Sequence, residues 1–152
     1  MKRAAVTGHT SGLGASFYRL LSQHGYEVHG FSRSNGYDLR DYTQVGNMLE
    51  HVKDFDLFVN NAKPDYAQAQ IVYRLAREWT HGTVLSIGSH SSISLTDWTD
   101  TFLLEYLTQK TALVHAHQVL DPVAQCRLLI VHPTHLDDTD QYADQVLQEL
   151  QL

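Results

Sequence analysis

The chain has a single cysteine among 152 residues, Cys126, so no intrachain disulfide can form and a small cross-linked scaffold is excluded. Its place at the edge of the apolar run 128–131 predicts a buried structural thiol. Prolines number only three, and no low-complexity tract, internal repeat or linker divides the sequence. Long hydrophobic runs are lacking too. None approaches the length of a membrane span, and the N-terminus begins a strand at once, so a cytoplasmic location is expected, with no membrane partner. Basic residues are scarce: eleven lysines and arginines stand against seventeen acids, a net charge of −6, with no basic cluster beyond Lys2-Arg3. A nucleic-acid backbone is therefore a poor partner, and any bound anion should be small. The ten histidines are scattered. His115 and His117, two apart on a helix, point to different faces, and no His-Glu-x-x-His or paired cysteines occur, so no metal site is expected.

What the chain does have is alternation. Short β-type runs at Arg3–Thr7, Glu27–Phe31, 56–60, Thr83–Ile87 and Arg127–Val131, with a weak one at 37–39, are separated by stretches of helical periodicity. Leu13, Phe17, Leu20 and Leu21 form one helical stripe, closed by Gly25 as a C-terminal cap. Val45, Met48, Leu49 and Val52 form another, opened by Asp41 as N-cap with Gln44 three residues on. Further helices are expected over 65–79, 97–119 and 139–150. Right-handed crossovers then predict an α/β, Rossmann-type doubly wound parallel sheet of about six strands in the order 3-2-1-4-5-6. Residues 1–152 read as one domain, long enough to bury about 70% of the unfolded surface around a single core.

The segment Thr7-Gly8-His9-Thr10-Ser11-Gly12-Leu13-Gly14 comes straight off the apolar Ala4-Ala5-Val6. It reads as a strand turning into a helix through a glycine-rich phosphate cradle. Gly8 allows the turn, Gly12 lets amides approach a pyrophosphate, and Gly14 lets the helix pack close to the sheet. Three more segments follow in order: Asn60-Asn61-Ala62 after Leu57-Phe58-Val59, Ile87-Gly88-Ser89 after Thr83-Val84-Leu85, and Tyr106 with Lys110 one helical turn on. After the second strand comes Ser32-Arg33-Ser34, with no acid where ribose hydroxyls would be bonded and with a guanidinium suited to a 2′-phosphate.

Together these segments resemble the short-chain dehydrogenase/reductase family, from Lys2 to about Thr134. The resemblance implies an NADP(H)-dependent oxidoreductase that reduces a carbonyl, or oxidises an alcohol, of an unknown small molecule. Tyr106 would be the general acid/base, Lys110 would lower its pKa and bond the nicotinamide ribose, and Ser89 would hold the substrate oxygen, with Ser91 or Ser92 as alternatives. Cofactor contacts are implied for Gly8 through Gly14 (Gly8, His9, Thr10, Ser11, Gly12, Leu13, Gly14), for Ser32, Arg33 and Ser34, for Asp38 and Leu39 at the adenine, for Asn61, Ala62 and Lys63, and for Tyr106, Lys110 and Pro133. A homodimer through helices 65–79 and 97–119 is also implied, with Phe102 and Leu104 beyond the core-facing stripe. Trp98, Phe102, Leu103 and Leu107 read as packing, and His90 and His135 as solvated loop residues.

The departures matter as much. Lys63 stands where the family has a glycine, the chain is short, and only a brief segment from Pro133 separates the last strand from the last helix, leaving no substrate lid. No asparagine follows Asn61, so the family's relay asparagine is unfilled; Gln68 or Gln70 would replace it only by an accident of geometry. A non-catalytic NADP(H)-binding sensor or regulatory subunit is the alternative reading.

Overall fold

In the computed structural model, which describes residues 1–90, 101–134 and 136–152 (101–103 as helical backbone alone), every strand pairs in parallel with its neighbours. The strands are β1 (Arg3–Thr7), β2 (Glu27–Phe31), β3 (Leu57–Asn60), β4 (Thr83–Ile87) and β5 (Arg127–Val131), in the order β2-β1-β3-β4-β5. The helices are α1 (Gly12–Gln23), α2 (Tyr42–His51), α3 (Ala67–Glu78), α4 (Thr101–Leu120) and α5 (Thr139–Glu149). This is the expected Rossmann-type sheet without its weak edge strand. Ser91, Ser92, Trp98, His135 and the expected start of α4 at Asp97 lie outside the described residues, as do the side chains of Phe102 and Leu103.

The edge strand at 37–39 does not form, and the reason is local. Tyr37 N donates to Ser32 O, Asp38 N to the side chain of Gln44, and Asp41 N to Asp38 O. With those backbone groups satisfied within the turn, little is left to pair with β2. Gln44 differs from expectation in the same way. Asp41 caps α2 by accepting from Thr43 N and Gln44 N, while Gln44 reaches back past the cap to Asp38.

Side chains alternate across the sheet as the two-residue period of a strand requires. Val6, Leu57, Val59 and Leu85 face one way, against Leu13, Phe17 and Leu21 of α1 and Val146 and Leu147 of α5. Ala5, Phe58, Val84 and Leu128 face the other, against Met48 of α2, Ile71, Val72 and Leu75 of α3, and Leu113 of α4. Cys126 is buried at this second core, and burial pushes its thiol pKa up. Gly25, in the left-handed region, closes α1 with Tyr26 N bonded to Leu21 O and Gly25 N to Ser22 O. No helix among the described residues is long and apolar enough to cross a membrane.

Candidate active site at the carboxyl edge of the sheet

The β1–α1 turn is built by close approach. A Cβ on Gly14 would lie 2.1 Å from Gly8 O and 2.6 Å from Asn61 Nδ2, so only glycine lets α1 start this near β1 and β3. Buried Thr7 ties the same corner together: its hydroxyl accepts from both Asn61 N and Ala62 N at 3.0 Å, and Asn61 Nδ2 donates to Thr7 O at 3.1 Å. The Asn61 carboxamide is therefore engaged with protein backbone. Thr10, Ser11 and Gly12 are left exposed at the helix start. Ser11 makes no capping bond with its side chain, and the first turn carries no acid. Amides and dipole at this end suit an anion, so the turn fits the pyrophosphate of a dinucleotide. His9 is present there by backbone only; its ring lies over Gly30 of β2, where a Cβ would come within 2.2 Å of it, and against Tyr18 of α1.

A cleft of about 370 Å³ continues from Gly8 past Ser32 and Arg33 to Asp38 and Leu39, with Ala62 and Lys63 on its other wall. Arg33 is exposed and, among the described residues, has no carboxylate partner. Ser32 and Ser34 bond each other at 2.6 Å, and Asp38 Oδ1 accepts from Arg40 N. The residues expected at an adenosine are thus brought to one cleft.

At the far side, Lys110 is 3% exposed, and its ammonium donates to Gln68 Oε1 at 2.7 Å and to Ile87 O at 2.8 Å. Burial, reinforced by the charge of Lys63, lowers its pKa to about 8. Its Nζ lies 5.7 Å from the centre of the Tyr106 ring one turn earlier on α4. Ile87 ends β4, so this bond anchors the lysine two residues before Ser89, which is itself buried. Gly88 N donates to Val131 O and His90 N to Pro133 O, holding the β4 and β5 ends side by side.

Gln68 was underrated by sequence reasoning. Its amide donates to Asn60 O and Ile87 O while its oxygen takes the lysine, so it clamps three elements at one point. Behind it, Asn60 Nδ2 donates to Gln68 O and to Ser86 Oγ, and Ser86 Oγ lies 2.8 Å from His117 Nε2. Burial pushes the His117 pKa down to about 4, so this histidine is neutral. The signal for this network was a polar residue on an apolar stripe: Gln68, Ile71, Val72 and Leu75 share one face of α3, and all are buried.

No family model matches the chain, and no curated protein does. Solved structures do. A short chain dehydrogenase from Burkholderia cenocepacia J2315 in complex with NADP superposes with a TM-score of 0.74 at 20% identity, over 96% of this chain and 89% of that one. A carbonyl reductase from Pseudomonas aeruginosa PAO1 gives 0.76 at 17%, over 99% and 91%. The 3-alpha-hydroxysteroid dehydrogenase from Pseudomonas sp. B-0831 complexed with NADH gives 0.75 at 18%, over 98% and 88%. With its parallel sheet, glycine-rich β1–α1 turn and paired Tyr106 and Lys110 on α4, the chain has the fold of the short-chain dehydrogenases/reductases.

Proposed function

We propose that residues 1–152 form a single NADP(H)-dependent carbonyl reductase domain of the short-chain dehydrogenase/reductase family, working as a homodimer. The observation that carries the reading is the setting of Lys110: a buried ammonium, held by two neutral oxygens, beside the one tyrosine a helical turn away. A structural lysine gains little from such a place, because burial disfavours its charge. A catalytic one uses it.

The β1–α1 turn would hold the pyrophosphate, Arg33 a 2′-phosphate, and Asp38 with Leu39 the adenine. A bound reduced nicotinamide supplies a hydride. Tyr106 then donates its phenolic proton to the carbonyl oxygen as that oxygen gains charge. Lys110, whose ammonium lies 5.7 Å from the centre of the Tyr106 ring, would bond the nicotinamide ribose. Ser89, two residues past the end of β4, would bond the same oxygen. NADP-bound and NADH-bound neighbours of the same fold support a nicotinamide cofactor, and Arg33 supports the phosphorylated form.

Tyr106→Phe tests the assignment, because it removes the hydroxyl and leaves the ring. NADPH should still raise the melting temperature, while carbonyl reduction across a panel of aldehydes, ketones and quinones should fall roughly 10²- to 10⁴-fold. Full activity in this variant refutes the role of Tyr106. A protein that NADPH stabilises but that reduces nothing in the panel is a sensor instead.

A further inference from the structure

Lys63 is the residue at this site that the proposed chemistry does not use. It takes the place where the resemblance has a glycine, and its ammonium lies 4.5 Å from the centre of the Tyr106 ring. Lys110 is the second ammonium on the same ring. The two repel: the charge of Lys63 is one of the two causes that hold Lys110 below its ordinary pKa. Yet neither is neutralised by a carboxylate among the described residues. Lys110 meets only neutral oxygens, and the nearest acid in sequence to Lys63, Asp65, is paired with Arg40 at 3.4 Å. In a chain of net charge −6, two uncompensated cations around one phenol are a local reversal of sign.

We propose that Lys63 selects an anionic substrate, a carbonyl compound with a carboxylate beside the reacting carbon, of which the 2-oxo acids are the simplest class. This rests on the reading of Tyr106 and Lys110 given above. In the reduction, the carbonyl carbon gains a hydride and its oxygen gains the Tyr106 proton. The 2-oxo acid leaves as a 2-hydroxy acid, and the reduced nicotinamide dinucleotide is oxidised. The carboxylate takes no part in the electron transfer. It binds the ammonium of Lys63, which is exposed and sits over the phenol ring, and so turns the neighbouring carbonyl toward the phenol. Lys63 also borders the cleft that contains Arg33, so a cofactor phosphate is the competing anion, and the experiment has to separate the two.

Initial rates of NADPH oxidation would be compared for a set of 2-oxo carboxylates and their methyl esters, with wild type, Lys63→Met and Lys63→Arg, alongside calorimetric titration of each with NADPH. The wild type should prefer the acids. Lys63→Met should lower the acid-to-ester ratio of kcat/KM by on the order of tenfold, through KM, and Lys63→Arg should restore it. The inference is overturned if wild type uses acid and ester equally. It is equally overturned if a protein that binds NADPH turns over none of the acids, or if Lys63→Met leaves the ratio alone and weakens NADPH instead. A wild type that does not bind NADPH at all refutes the oxidoreductase reading itself, and this inference falls with it.

Discussion

On the proposed reading Arg33 would carry the cofactor preference, and one exposed guanidinium has a bounded effect. A charge-assisted bond to a 2′-phosphate contributes about 1.5–3 kcal/mol, so NADPH should bind on the order of tenfold to a hundredfold more tightly than NADH. Arg33→Ala should erase most of that difference, and titration calorimetry with both dinucleotides reads it directly; equal affinities in the unaltered protein would refute the assignment. His117 sets a second residue-scale expectation. It is 6% exposed and its pKa is pushed down from 6.5 to about 4, so between those values the unfolded chain binds a proton that the folded chain refuses. Stability therefore falls as pH drops through this window, by about 3 kcal/mol at most. Lys110 is charged in both the folded and the unfolded chain throughout this window, so its shift adds no slope here. Melting curves from pH 7 to 4 should show a smaller loss for His117→Gln than for wild type. Parallel curves for the two proteins would mean that His117 is not the responsible group.

Elements bring the site together, and the β1–β3 junction is where that is most exposed to test. The Thr7 hydroxyl is the acceptor for two amides that begin the segment after β3, so Thr7→Val keeps the shape and strands both donors. Stranded, partly buried donors cost about 1–3 kcal/mol each, and the variant should lose roughly 2–6 kcal/mol by urea unfolding with little change in slope. A loss under 1 kcal/mol would mean that water replaces the hydroxyl. Thr7 opens the glycine-rich segment, yet nothing in the sequence marked its side chain as the pin between two strands. The elements themselves were legible because each carries a clear period and a clear stop: the α1 stripe ending at Gly25, or the α2 stripe behind Asp41. The edge strand at 37–39 was misread because the bonds that forbid it, from Ser32, Gln44 and Asp38, come from a turn that periodicity does not register. Gly8, Gly14, Tyr106 and Lys110 were legible because fixed spacing dictates their places. Gln68 was not, since its role depends on three elements, β3, β4 and α4, meeting at one carboxamide.

At the scale of the whole molecule, α4 poses the remaining question, because it carries apolar residues on its exposed side as well as on its buried one. A helix of that kind needs cover on more than one side. Leu113 packs inward against the sheet core, but Leu104 and Val119 are 41% and 56% exposed, and Tyr73 on the adjoining α3 is 55% exposed. Between these helices runs a groove of about 930 Å³. A two-fold axis over this face would set α3 and α4 of one protomer against the same pair in its partner, covering the exposed apolar residues of both. The groove shares Leu39 and Arg40 with the cleft at the β1–α1 turn, but Tyr73 and Val119 line the groove and not that cleft, so charges placed there test association apart from cofactor binding. Sedimentation at micromolar concentration should therefore show a particle of twice 17.2 kDa. The pair Tyr73→Glu and Val119→Asp should halve it while leaving both the melting temperature rise with NADPH and the fold intact. A 17.2 kDa species in the unaltered protein would rule this dimer out, and a dimer that survives both charges would place the interface on another face.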